Sequence, residues 1–113
     1  MGDLAAVEAR LRALLEPFAN TLEPAQIYGI AVLRRPGAKA HDWFAGVQAA
    51  DGYVKLNFLP MHGHPELLEG ISPALRKRKT GASVFRFTDL DDALAAEVEA
   101  LLARAFDVYM GEA

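Results

Sequence analysis

The chain has 113 residues, 52% of them hydrophobic and 24% charged, with a formal net charge of −3 and a pI near 5.5. That length fits one domain with a single core, and the lack of cysteine excludes a disulfide framework, thiol catalysis and thiolate zinc sites. An acidic balance argues against a nucleic-acid partner, whose phosphates call for a positive excess, and no apolar run reaches the ~20 residues of a membrane-spanning helix.

The opening Met1-Gly2-Asp3-Leu4 lacks the charged and apolar regions of a signal peptide. A cytoplasmic location, with no membrane partner, is the expectation. Asp3 is positioned to cap a first helix. Leu4, Val7, Leu11, Leu14, Leu15 and Phe18 recur at three- and four-residue spacing and make one apolar stripe. Pro17 ends or bends that helix. Asn20 to Gln26 reads as a connector.

Ile27 to Arg35 is rich in β-branched residues and reads as a strand. Pro36-Gly37 is a turn pair, since proline presets φ and glycine accepts a positive φ. A second strand is expected from Lys39 to Ala50, and Asp51-Gly52 is a hairpin turn. Tyr53 to Leu59 alternates Val54, Leu56 and Phe58 with Tyr53, Lys55 and Asn57. A two-residue loop at Asp51-Gly52 pairs Ala50 with Tyr53, Ala49 with Val54, Val47 with Leu56 and Ala45 with Phe58. The Pro36-Gly37 turn, treated likewise, sets Val32 opposite His41 and Ile30 opposite Trp43. Together they predict a core face of Tyr28, Ile30, Val32, Trp43, Ala45, Val47, Val54, Leu56 and Phe58. The other face carries Phe44, Gly46, Gln48, Ala50, Tyr53, Lys55, Asn57 and Leu59.

Pro60 to Pro65 is a loop, and Glu66 to Gly70 at most a helical turn stopped by Gly70. Ser72-Pro73 fits an N-cap followed by proline at the first helical position, with a short helix from Pro73 to Lys79. Ser83 to Phe87 is a fourth strand. Thr88-Asp89-Leu90-Asp91 resembles a capping box. The last helix then buries Leu90, Leu94, Val98, Leu101, Leu102, Ala105 and Tyr109. The order α-β-β-β-(short α)-β-α predicts an α+β two-layer sandwich: an antiparallel sheet of about four or more strands, with the N- and C-terminal helices on one face.

Four clusters carry chemistry. His62-Gly-His64 with Glu66 has the beginnings of a metal site, but it matches no standard spacing and reads equally as a surface loop. Arg76-Lys77-Arg78-Lys79-Thr80-Gly81 offers cations to an anion, or is a solvated face. Asp89, Asp91 and Asp92, with Glu97 and Glu99, supply oxygen ligands for a cation, or are dipole-favoured acids on a wet helix. The outer sheet face joins Gln48, Lys55 and Asn57 to the ring of Tyr53, a pattern that suits a small ligand, a dimer interface or cover by the segment 60–79. No catalytic constellation is visible.

Four segments, Tyr53-Val-Lys-Leu-Asn-Phe58, Leu68-Glu-Gly70, Arg76-Lys-Arg-Lys-Thr-Gly81 and Ser83-Val-Phe-Arg-Phe87, occur in the order that resembles the YdhG-like family, a domain of unknown function. The resemblance spans roughly Ile27 to Tyr109, and Lys55, Arg76, Lys79 and Gly81 are the matching positions. Some relatives are described as frataxin-like, which implies iron binding or an iron-chaperone role. The leading expectation is a small binding domain whose anionic ligand or metabolite sits on Gln48, Tyr53, Lys55 and Asn57, with Arg76 or Lys79 reaching in. The alternatives are iron handling through Asp89, Asp91 and Asp92 with His62 and His64, and a homodimeric interaction protein.

Overall fold

The first helix forms because Val7, Leu11 and Leu15 repeat every fourth residue and are buried together as one stripe. In the computed structural model, which describes residues 4–27, 30–37, 43–60, 64–81 and 84–111, this helix is α1, Leu4–Leu15. Pro17 has no N–H to give to a continuing α-helix. The chain tightens there into a 3-10 turn, Glu16–Asn20.

Five antiparallel strands follow as a meander in the order β1-β2-β3-β4-β5. They are β1 Glu23–Ile27, β2 Ile30–Arg34, β3 Ala45–Ala50, β4 Tyr53–Phe58 and β5 Val84–Phe87. Between β4 and β5 lie a 3-10 turn, Pro65–Leu68, and a short helix α2, Pro73–Arg76. The closing helix α3 is Asp92–Gly111. The α+β class, with N- and C-terminal helices packed against an antiparallel sheet, is as the sequence predicts.

The inner face of the sheet carries Val47, Val54, Leu56, Phe58, Phe85 and Phe87, all buried. Against it pack Val7, Leu11 and Leu15 of α1 with Leu94, Val98, Leu101, Leu102, Ala105 and Tyr109 of α3, in one continuous cluster. The predicted stripe of the last helix is buried at every position, Leu90 included. The β3–β4 hairpin also has its predicted register, from Ala50–Tyr53 through Ala45–Phe58, with Gly52 at φ +87°.

Several expectations are corrected. The stretch 20–26 is no mere connector: it holds most of β1, which ends at Ile27 and pairs with β2, from Glu23–Arg34 to Ile27–Ile30. Pro24 disguises it, yet an edge strand tolerates a residue with no N–H to donate. Val32 pairs with Gly46, and Leu33 with Ala45, so the partner of Val32 is not His41. The turn at Pro36-Gly37 exists, with Gly37 at φ +79°. It does not close a two-residue hairpin, because β3 starts only at Ala45. Val32 is buried, but its pairing with Gly46 puts it on the outer face. Tyr28 and His41 lie outside the described residues.

Phe44 was expected on the outer face and is instead fully buried in the core. Its N–H donates to the Leu33 carbonyl at 2.7 Å, while Ala45 is the register partner of Leu33. Two residues opposing one is a β-bulge, which re-aims a side chain. The Phe44 ring then meets Phe18 at 5.2 Å, Phe106 at 5.7 Å, Tyr109 at 5.7 Å and Phe58 at 6.0 Å. Trp43, expected in the core, is half-buried.

Helix ends follow local chemistry. Ser72 caps α2, its Oγ accepting from Leu75 N at 3.2 Å. The same hydroxyl donates to Glu97 Oε1 at 2.5 Å, and Ser72 N donates to Glu97 Oε2 at 2.6 Å. The helix stops at Arg76 rather than Lys79 because the chain then pairs with β5: Lys79 bridges Phe85. At α3 the cap is Asp91, whose Oδ1 accepts from Leu94 N at 2.8 Å, not Thr88. The far end of α3 is tied to the end of β2. Arg35 N donates to the Tyr109 hydroxyl at 2.9 Å, and the Arg35 guanidinium lies 4.6 Å over the Tyr109 ring.

Gly46 marks the closest approach of β2 and β3. A Cβ there would run into the Ala31 carbonyl oxygen and lie 2.7 Å from Val32 Cγ1. Gly46→Ala is expected to cost about 1–3 kcal/mol through overpacking, seen as a lower urea midpoint at unchanged slope. An unchanged midpoint would mean that these strands have room to spread.

Candidate functional site

The outer face is organised by β4. Its alternation commits Val54, Leu56 and Phe58 to the core, so Tyr53, Lys55 and Asn57 turn to the other side. Register then lines up their neighbours. Gln48 on β3 pairs with Lys55, and Lys55 pairs with Arg86 on β5. The Lys79–Phe85 bridge, with the Arg86 N–H donating to the Arg78 carbonyl at 2.7 Å, extends the row to Arg78. Gln48, Lys55, Arg86 and Arg78 thus form one cross-strand row. The adjacent row contains Val32, Gly46, Asn57 and Val84.

The three cations of the first row are not in the same state. Arg78 is paired with Asp89, Nη2 to Oδ1 at 2.8 Å. Arg86 lies with its guanidinium carbon 4.5 Å over the Tyr53 ring, a cation–π contact. Among the described residues neither Lys55 nor Arg86 has a carboxylate partner. Like charges directly opposite one another on neighbouring strands repel. Beside them, Asn57 is only 7% exposed, and its Nδ2 has no hydrogen-bond partner among the described residues. A buried amide donor left unpaired costs about 1–3 kcal/mol. The face is therefore rich in donors and short of acceptors.

The predicted ligand residues divide accordingly. Gln48, Tyr53, Lys55 and Asn57 do come together, with Gln48, Tyr53 and Lys55 half-buried. Arg76 and Lys79 do not join them. The Arg76 guanidinium is occupied by the Leu68 carbonyl at 3.1 Å, and Lys79 shares its register position with Phe85, which faces the core. Arg86 and Arg78 take their place. Arg86 was legible as the polar residue between two buried phenylalanines, Phe85 and Phe87. Its pairing with Lys55 was not, because a long irregular connection separates β4 from β5.

The predicted metal residues are dispersed among separate tasks. Asp92 Oδ1 accepts from Arg10 Nη2 at 2.7 Å, Asp91 caps α3, and Asp89 pairs with Arg78. His64 Nδ1 lies 3.0 Å from Glu66 Oε1, and His62 lies outside the described residues. Among the described residues, no three metal-ligating side chains converge. An open apolar groove of 210 Å³ occurs on the inner side, between α1 and the first three strands, lined in part by Leu15, Ala19, Pro24 and Ala31. Arg12, its one cation among the described residues, is already paired with Glu8 at 2.8 Å. No helix of the described residues is long and apolar enough to cross a membrane.

No family model, curated protein or solved structure matches the chain.

Two outcomes follow from this geometry. Replacing Asn57 by leucine removes the unpaired amide at similar volume, so Asn57→Leu should raise stability by roughly 1 kcal/mol in urea titrations. A comparable loss would show that the amide is satisfied. At the exposed pair, the Glu66 carboxyl is held below its ordinary value of 4.5, first by its own backbone N–H and then by His64. A depressed carboxylate favours the fold above its unfolded value, and that contribution fades as pH falls through the lower folded value. Titration of Glu66 by NMR should therefore have its midpoint below the ordinary one, with His64→Ala returning it only part of the way. A complete return would make His64 the main cause.

Proposed function

We propose that this chain is a small binding domain of the YdhG-like type that takes a small anion on the outer face of its sheet. The observation that carries this reading is the direct pairing of Lys55 with Arg86, both without a carboxylate partner among the described residues. An anion between them relieves their repulsion and gains charge-assisted hydrogen bonds from both. Asn57 Nδ2, buried and unpaired, supplies a further donor from the next row. Gln48 flanks Lys55 on the opposite side, and the Tyr53 ring lies against the Arg86 guanidinium. The donors outnumber the acceptors, which suits an oxygen-rich ligand better than a cation.

The family resemblance touches this face at one position. Of its matching positions Lys55 lies in this row, whereas Arg76 and Lys79 do not. The frataxin-like alternative finds no cluster of acids to work with among the described residues.

Thermal and urea unfolding in the presence of inorganic phosphate or small carboxylates tests the proposal. An anion at 100 times its dissociation constant should add about 2.7 kcal/mol of stability. Lys55→Ala and Arg86→Ala should each remove most of that increment while leaving the ligand-free protein folded. If the increment survives both substitutions, or no anion produces one, the outer face is not the site.

A further inference from the structure

Resting on the anion reading, we infer that Asp89 sets the charge of the site, so that its ligand is a small doubly charged oxyanion. The row holds three cations, Lys55, Arg86 and Arg78, at successive cross-strand positions. Among the described residues only the third has a carboxylate: Asp89 Oδ1 is 2.8 Å from Arg78 Nη2. Asp89 lies three positions beyond Arg86 in the same segment, where the chain leaves β5 for α3. From there it neutralises the outermost cation without meeting the two inner ones. Among the described residues two uncompensated positive charges remain, on directly paired residues. They match two negative charges carried on oxygen, as in a dicarboxylate or a phosphate dianion.

The buried Nδ2 of Asn57 is an independent sign that a ligand atom belongs here. It is an unpaired donor on the same face, two residues along β4 from Lys55. An uncharged donor of this kind adds an oxygen contact without adding charge, which keeps the site at two positive charges. A third negative charge on the ligand would meet the Arg78–Asp89 pair, where the carboxylate cancels the attraction.

Calorimetric titration of the full chain at about pH 8, where phosphate carries two charges, with acetate, succinate, inorganic phosphate and citrate tests this. Succinate or phosphate should bind wild type at least about fivefold more tightly than acetate, and citrate no more tightly than the better of the two. Binding of one dianion and not the other names the source as carboxylate or phosphate. Asp89→Asn releases Arg78 and should tighten citrate about fivefold relative to succinate. Arg78→Gln leaves the Asp89 charge uncompensated beside the row and should weaken both dianions by about the same factor. If anions bind wild type but Asp89→Asn does not improve citrate relative to succinate, or Arg78→Gln leaves both dianions unchanged, Asp89 does not set the charge and the anion site itself stands. If none of the four binds wild type, the anion reading fails and takes this inference with it.

Discussion

Slipping the β3–β4 hairpin by one residue would send Val54, Leu56 and Phe58 to solvent and bring Tyr53, Lys55 and Asn57 under the helices. Burying three apolar side chains is worth roughly 5–9 kcal/mol, comparable with the whole net stability of a domain this size. The slip is therefore closed to the chain. Asp51-Gly52 fixes the register locally, and the alternation of β4 fixes it globally. Everything on the outer face, including the row through Lys55 and Arg86, is a by-product of that commitment.

The magnitudes also explain why the fold tolerates so unfavourable a face. Two like charges opposite each other cost about 0.2–1 kcal/mol. The stacking of Arg86 on Tyr53 returns an amount of the same order. Both are small against the core made by Phe44, Phe58, Phe85 and Phe87, each fully buried. A strained polar surface survives on a scaffold with that much apolar burial behind it. Function is commonly placed where local preferences lose to such a scaffold.

The parts legible in the sequence were those governed by short-range chemistry. The Asp51-Gly52 turn dictated all the β3–β4 partners, the spacing in α3 dictated its buried stripe, and Ser72 announced its own cap. What was hidden depended on longer-range geometry. Pro24 made an edge strand look like a loop. The connection from Arg35 to Phe44 is far longer than the two-residue turn from which the expected β2–β3 pairing follows, so Val32 meets Gly46 instead of His41. The bulge at Phe44 and Ala45 then turns Phe44 into the core against the strand period of two. Half of the proposed site was legible from β4 alone. Arg86 and Arg78 enter through β5 pairing, which no local turn encodes.

The two borders of the sheet carry a last consequence. On one side β1 holds Pro24, which presents no N–H to an approaching strand. On the other, β5 is capped by the Lys79 bridge and flanked by arginine side chains. Open β edges are templates on which further chains add and grow into fibres. Here one border is interrupted by a residue without a donor and the other is partly paired, with positive charge around it, so neither offers a long unbroken template.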